Sequence, residues 1–368
     1  MTAQASAGAE PAARLRVLVV DDSVVIRRML TNAIDADPAL RVVGTAANGR
    51  LALAKLQSSP CDLVTLDVEM PEMSGLEALL EIRRAHPSLP VLMCSSLTER
   101  GANATLDALA RGANDYIAKP SASASGAFAA ELVEKLKALG RTVRKPPDPP
   151  PAALRRPPAP LVAPRTGASE PAAAIAIGVS TGGPNALAEV IPRLPANLAA
   201  PVLIVQHMPP VFTKMLADRL GRTAAVPVME AQHGQEVAPG SVYIAPGDWH
   251  MTLVRDGARV TLSLNQEPPE NSCRPAVDPL FRSFAAVYGA SGLGVILTGM
   301  GRDGFHGCEL LRAAGGHVLA QDEATSVVWG MPGIVAGSGL ADEVVPLPQM
   351  AAAIARRARL NRTGKGTP

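Results

Sequence analysis

The chain has 368 residues, 47% of them hydrophobic and 18% charged, which suits two ordinary globular domains and excludes a disordered or fibrous chain. The formal net charge is +2, yet residues 139–172 alone carry six Lys or Arg against Asp148 and Glu170, so the rest is slightly acidic and no nucleic-acid surface is expected. No apolar run reaches the ~18–20 residues that span a bilayer, and Met1 to Ala13 lacks the pattern of an export signal; the expectation is a cytoplasmic protein without membrane insertion.

In the first half, short buried-type runs at Val17–Val20, Arg41–Thr45, Leu63–Leu66, Val91–Cys94 and Tyr116–Ala118 alternate with helical patterns. That alternation predicts five βα units around a parallel sheet. Ile26, Leu30, Ala33 and Ile34 fall on one face of the first helix, and Ser23 is placed to cap it. Strand one runs into Asp21-Asp22-Ser23, strand three ends at Asp67, strand four at Ser95, and strand five at Lys119-Pro120.

Alone, Asp-Asp-Ser reads as a helix cap and Lys119 as a solvated charge. Repeated at successive strand ends of one sheet, these groups point to phosphoryl chemistry. Crowded carboxylates favour a hard divalent cation such as Mg2+, Asp67 can act as a carboxylate nucleophile, and Ser95 and Lys119 can hold phosphoryl oxygens. Val-Asp-Asp-Ser, Leu-Asp-Val-Glu-Met-Pro-Glu-Met-Ser-Gly, Cys-Ser-Ser and Ala-Lys-Pro together resemble the receiver domain of two-component response regulators over residues 14–138. The resemblance implies a flavodoxin-like fold, phosphorylation of Asp67 by a CheA-type histidine kinase, and Mg2+ held by Asp21, Asp22 and Asp67. It further implies a switch made of Ser95, Tyr116 and Lys119.

Ten prolines fall between Pro146 and Pro171, within a stretch at 139–172 that reads as an extended, semi-rigid linker. Beyond it the alternation resumes at Ile175–Val179, Val202–Gln206, Val242–Ala245, Gly294–Thr298 and His317–Ala320, predicting a second, mainly parallel α/β domain at 173–361. A β-hairpin is expected from Met251–Val254 and Ala258–Leu264 around Asp256-Gly257. The four cysteines form no C-x-x-C pair, so buried free thiols are expected rather than zinc or disulfides. No basic recognition helix follows the linker, which argues against a transcription factor.

Gly178-Val179-Ser180-Thr181-Gly182 satisfies Gly-x-Ser-x-Gly, in which a tight strand-to-helix turn pushes a hydroxyl forward and leaves backbone amides free for an oxyanion. Among six histidines, His207 follows a strand and would share its edge with Ser180, while Asp303 sits on the glycine-rich loop Gly299–Gly304. The usual hydrolase order of nucleophile, acid and histidine would instead pair Asp303 with His317. The glycine loop could also cradle a phosphate, although it lacks the P-loop lysine.

Gly-Val-Ser-Thr-Gly-Gly-Pro, Gln206-His207-Met208-Pro209-Pro210, Ile244-Ala245-Pro246-Gly247-Asp248, Arg274-Pro275-Ala276-Val277-Asp278, Leu-Thr-Gly-Met-Gly-Arg-Asp-Gly and Val328-Trp329-Gly330-Met331-Pro332-Gly333 resemble the CheB methylesterase domain. With the receiver in front, the whole chain resembles the CheB family of chemotaxis protein-glutamate methylesterases. That resemblance implies Ser180, His207 and Asp303 as nucleophile, base and acid, and Thr181 and Met300 in the oxyanion and substrate shell. It implies hydrolysis of glutamate methyl esters on chemoreceptors, deamidation of receptor glutamines, gating by phospho-Asp67, and no cofactor for the esterase. A chemosensory output other than swimming and a silent scaffold are the alternatives.

Overall fold

The computed structural model describes residues 14–120, 125–143 and 171–360. The proline-rich stretch read as a linker falls almost wholly within 144–170, outside the described residues, as does position 361, where the second domain was expected to end.

The first sheet is built from β1 (Leu15–Val20), α1 (Val24–Asp35), β2 (Leu40–Ala46), α2 (Gly49–Ser58), β3 (Leu63–Asp67), α3 (Gly75–Ala85), β4 (Val91–Ser95), α4 (Glu99–Ala110), β5 (Asp115–Ala118) and α5 (Ser125–Val143). Strand order is β2-β1-β3-β4-β5, with β1 parallel to both β2 and β3, and β3 parallel to β4. β3 and β4 are buried along their whole length, which explains their continuous apolar runs. Ser23 caps α1 by accepting the Ile26 amide, and α1 buries Leu30 and Ile34 while leaving Val24 and Val25 exposed.

A seven-stranded sheet organises the second half, from β6 (Ala174–Val179), α6 (Gly183–Val190), β7 (Val202–Gln206), α7 (Phe212–Gly221), β8 (Val228–Glu230) and β9 (Val242–Ile244). It continues through β10 (His250–Asp256), β11 (Arg259–Asn265), α8 (Val277–Tyr288), β12 (Gly292–Ile296), α9 (Phe305–Ala313), β13 (His317–Gln321), α10 (Met331–Gly337), β14 (Glu343–Val345) and α11 (Leu347–Arg357). The order is β14-β13-β12-β6-β7-β9-β8, all parallel, and β10 and β11 form a separate antiparallel hairpin. That hairpin is tied to α8 by the Leu253 amide, which donates to Ser283 Oγ at 3.1 Å.

Both sheets reverse their winding beside their first strand, between β1 and β3 in one and between β6 and β12 in the other. Crevices beyond the carboxyl ends at such points are where open α/β sheets hold ligands. β8 and β14 were not anticipated: each is three residues long and only partly buried, so neither shows the continuous apolar run that marks the equally short but fully buried β9. β12 begins at Gly292 and stops before Thr298, whose amide turns to the Gln321 side chain at 2.7 Å. All four cysteines are free, but only Cys94 and Cys308 are buried; Cys61 and Cys273 are partly exposed. Among the described residues no helix is long and apolar enough to cross a membrane.

Candidate functional sites

At the carboxyl edge of the first sheet, Asp21 is fully buried, Asp67 is buried and Asp22 is exposed. One oxygen from each lies within 4.8 Å of the others. Lys119 Nζ is 2.8 Å from Asp21 Oδ2 and 2.8 Å from Asp67 Oδ2, so a single ammonium is shared by two buried carboxylates. Burial pushes the Asp67 carboxyl up to about 6; the Lys119 bond opposes this and the Asp21 charge adds to it. One cation against three acids leaves net negative charge on a set of hard oxygen donors.

Ser95 closes β4 with no exposed surface, and its hydroxyl donates to the Gly101 carbonyl at 3.1 Å in the first turn of α4. Tyr116, inside β5, is buried.

At the second edge, β6 ends at Val179 and the chain turns through Ser180 and Thr181 into α6, with Gly182 in the left-handed region at φ 77 to start the helix. His207 directly follows β7, whose register sets Gln206 opposite Val179. His207 Nδ1 lies 3.0 Å from Ser180 Oγ, and Nε2 lies 2.7 Å from Asp303 Oδ2. His317 opens β13 opposite Leu293, at the far, amino end of the sheet, and faces Asp342 at 3.5 Å.

Asp303 is buried and fully partnered. Oδ2 also accepts the Val277 amide at 2.6 Å, and Oδ1 accepts the Asp278 amide at 3.0 Å, the Gly304 amide at 2.9 Å and Asn271 Nδ2 at 3.0 Å. Burial would raise its proton affinity, but His207 and the backbone donors hold it below the usual carboxylate range. For His207 burial favours the neutral ring, yet Cys273 and Asp303 outweigh it and lift the imidazole above its ordinary value. Cys273 Sγ lies 3.5 Å from the same Nδ1 that faces Ser180.

The loop after β12 presses on the serine. Gly299 donates to Val328 O at 3.0 Å and accepts from Gly330 at 3.1 Å and Met331 at 2.8 Å, which holds Gly299 itself against Ser180 in the loop that continues into Met300. Thr181 is buried; its carbonyl accepts Thr298 Oγ1 at 2.9 Å, while its own hydroxyl has no partner among the described residues. Gln206 Nε2 donates to the Ser180 carbonyl at 3.0 Å and the His207 carbonyl at 3.2 Å, bracing both.

Gln206, Asn271 and Cys273 were not read as site residues from the sequence. Gln206 could have been, as the residue before a candidate base at a strand end. For Asn271 and Cys273 no local signal exists, since neither belongs to a periodic element.

Among protein families, the description "CheB methylesterase" matches residues 175–354 and "Response regulator receiver domain" matches residues 17–128. A protein-glutamate methylesterase/protein-glutamine glutaminase of Trichodesmium erythraeum is 47% identical over 357 residues, covering 94% of this chain and 99% of that one. One of the same description from a Nocardioides species is 49% identical, covering 93% and 95%. The crystal structure of the Thermotoga maritima CheB methylesterase catalytic domain matches with TM-score 0.50 and 45% identity, covering 50% of this chain and 98% of that one.

Proposed function

The chain belongs to the CheB family of protein-glutamate methylesterase/protein-glutamine glutaminases of chemotaxis, and on that premise we propose that Ser180, His207 and Asp303 are its catalytic residues. His207 Nδ1 takes the Ser180 proton as Oγ attacks the carbonyl carbon of a glutamate methyl ester. Asp303 accepts the Nε2 hydrogen and stabilises the imidazolium that forms. The amides of Thr181 and Met300 hold the oxyanion. As the tetrahedral intermediate collapses, the ester C–O bond breaks and methanol leaves with the proton from His207. Water, deprotonated by the same nitrogen, then cleaves the acyl-serine and frees the glutamate. A glutamine side chain follows the same path with ammonia as the leaving group.

In the receiver, Asp67 is the residue phosphorylated, by a CheA-type histidine kinase. Asp21, Asp22 and Asp67 would hold Mg2+, which supplies positive charge to phosphoryl oxygens when bound. Lys119 and Ser95 respond to the phosphoryl group, and Tyr116 belongs to the same switch. The domains are assigned to 14–138 and 173–361, with 139–172 as tether, and the substrates are methylated chemoreceptors.

The observation that carries the esterase assignment is the placement of one imidazole at 3.0 Å from Ser180 Oγ and 2.7 Å from Asp303 Oδ2. Methanol release from membranes bearing methylated receptors tests it: Ser180→Ala should abolish release, and release at the wild-type rate would refute the nucleophile. A small acyl-phosphate donor should raise the rate of the wild type and leave Asp67→Asn unchanged; equal stimulation of both would refute Asp67 as the phosphorylation site.

A further inference from the structure

Between β11 and α8 the chain forms a strap over the Asp303 loop. It turns through Asn271 at φ 50 and Ser272 at φ 63, and asparagine tolerates this left-handed region better than most residues. Glu270 is anchored to Arg282 at 2.5 and 2.7 Å, and Arg274 to Asp248 at 2.6 and 2.9 Å, on either side of that turn.

Held this way, Asn271 Nδ2 lies 3.0 Å from Asp303 Oδ1 and 3.0 Å from Asp278 Oδ2. Both neighbours are carboxylates, so the nitrogen and not the oxygen must face them, and its two N–H groups serve one each. Asp278 is itself buried, and its other oxygen accepts the Gly307 amide at 2.7 Å. Two buried carboxylates this close disfavour each other's charge. His207 faces Asp303 from just beyond β7, Glu270 from the strap and Asp278 from α8, while His306 on α9 acts on Asp278. Asn271 is the neutral donor between the two acids.

We propose that Asn271 is a positioning residue of the esterase: it ties Asp278 to Asp303 so that Asp303 stays charged and fixed against His207 Nε2. The inference rests on the Ser180, His207 and Asp303 reading. Without the amide, Asp303 loses a hydrogen bond on Oδ1 and meets the unshielded charge of Asp278. The imidazole it orients is then misplaced for proton transfer, although substrate binding is untouched.

The test is methanol release by the full-length chain from membranes bearing methylated receptors, with Ser180→Ala run alongside. Asn271→Ala and the near-isosteric Asn271→Asp should each lower kcat about tenfold or more with KM unchanged, the loss of one hydrogen bond to a charged group. Adding Asp278→Asn to Asn271→Ala removes the competing charge beside Asp303, so it should recover part of the loss. A purely packing role predicts no such rescue. Wild-type kcat in either Asn271 variant, a loss confined to KM, or a double variant no better than Asn271→Ala would each overturn the inference. If Ser180→Ala releases methanol at the wild-type rate, the triad reading fails instead.

Discussion

Gly299 and Ser180 meet with no room for a methyl group between them. A Cβ added at position 299 would lie 2.8 Å from Ser180 Cβ, 3.1 Å from its amide nitrogen and 2.5 Å from Met331 Sδ. The loop after β12 is thereby fixed against the serine by its main chain, which is how a backbone amide can reach an oxyanion beside Oγ.

Gly299→Ala should therefore cost far more than its size suggests. Neither the serine turn nor the loop can yield without disturbing the Ser180 amide, which donates to Thr298 O at 3.0 Å. We expect kcat for methanol release to fall at least about a hundredfold, as for loss of an oxyanion donor. Activity within a few-fold of wild type would show that the loop moves away freely.

Gln206 links Ser180 to His207, the proposed nucleophile and base, through their carbonyls. Gln206→Met keeps length and burial but leaves both carbonyls one donor short. Stability should fall by about 1–3 kcal/mol, with a loss of kcat as the two residues drift apart. Denaturant titration and steady-state kinetics read the two effects separately, and a variant unchanged in both would remove Gln206 from the site.

The two sites were unequally legible in the sequence. Asp21, Asp67, Ser95 and Lys119 each end or follow a strand of one sheet, so finding the strands was enough to bring them to one edge. Ser180 and His207 were legible for the same reason. Asn271 and Cys273 sit on an irregular strap and reach Asp303 and His207 across sequence separations of 32 and 66 residues. Periodicity cannot report such contacts, because they depend on how the strap is anchored through Arg274 and Arg282. His207 and His317, both open to chain-order reasoning, are separated by strand direction: one lies at the carboxyl end of β7 beside Ser180 and the other at the amino end of β13.

Lys119 holds the first site together in its resting state by pairing with two buried carboxylates. Replacing it with methionine fills the space but leaves Asp21 and Asp67 facing each other unpaired. The cost should be about 3 kcal/mol, at the lower end for a broken buried pair because the lysine side chain remains 20% exposed. Denaturant unfolding of the full chain in a chelator checks this, and a midpoint equal to that of the wild type would contradict it.

Cys273 lies against the same His207 nitrogen that faces Ser180. With Sγ 3.5 Å from His207 Nδ1, it contributes to lifting the imidazole above its ordinary value, together with Asp303 and against burial. Cys273→Ala removes that contribution, so His207 should lose its proton at a lower pH. The base acts only when neutral, and the acid limb of the kcat/KM profile reports its deprotonation in the free enzyme. The limb should therefore move to lower pH in Cys273→Ala, raising the rate on the acid side while the plateau stays within a few-fold of wild type. An unmoved limb, or one displaced to higher pH, would show that the thiol does not act on the base.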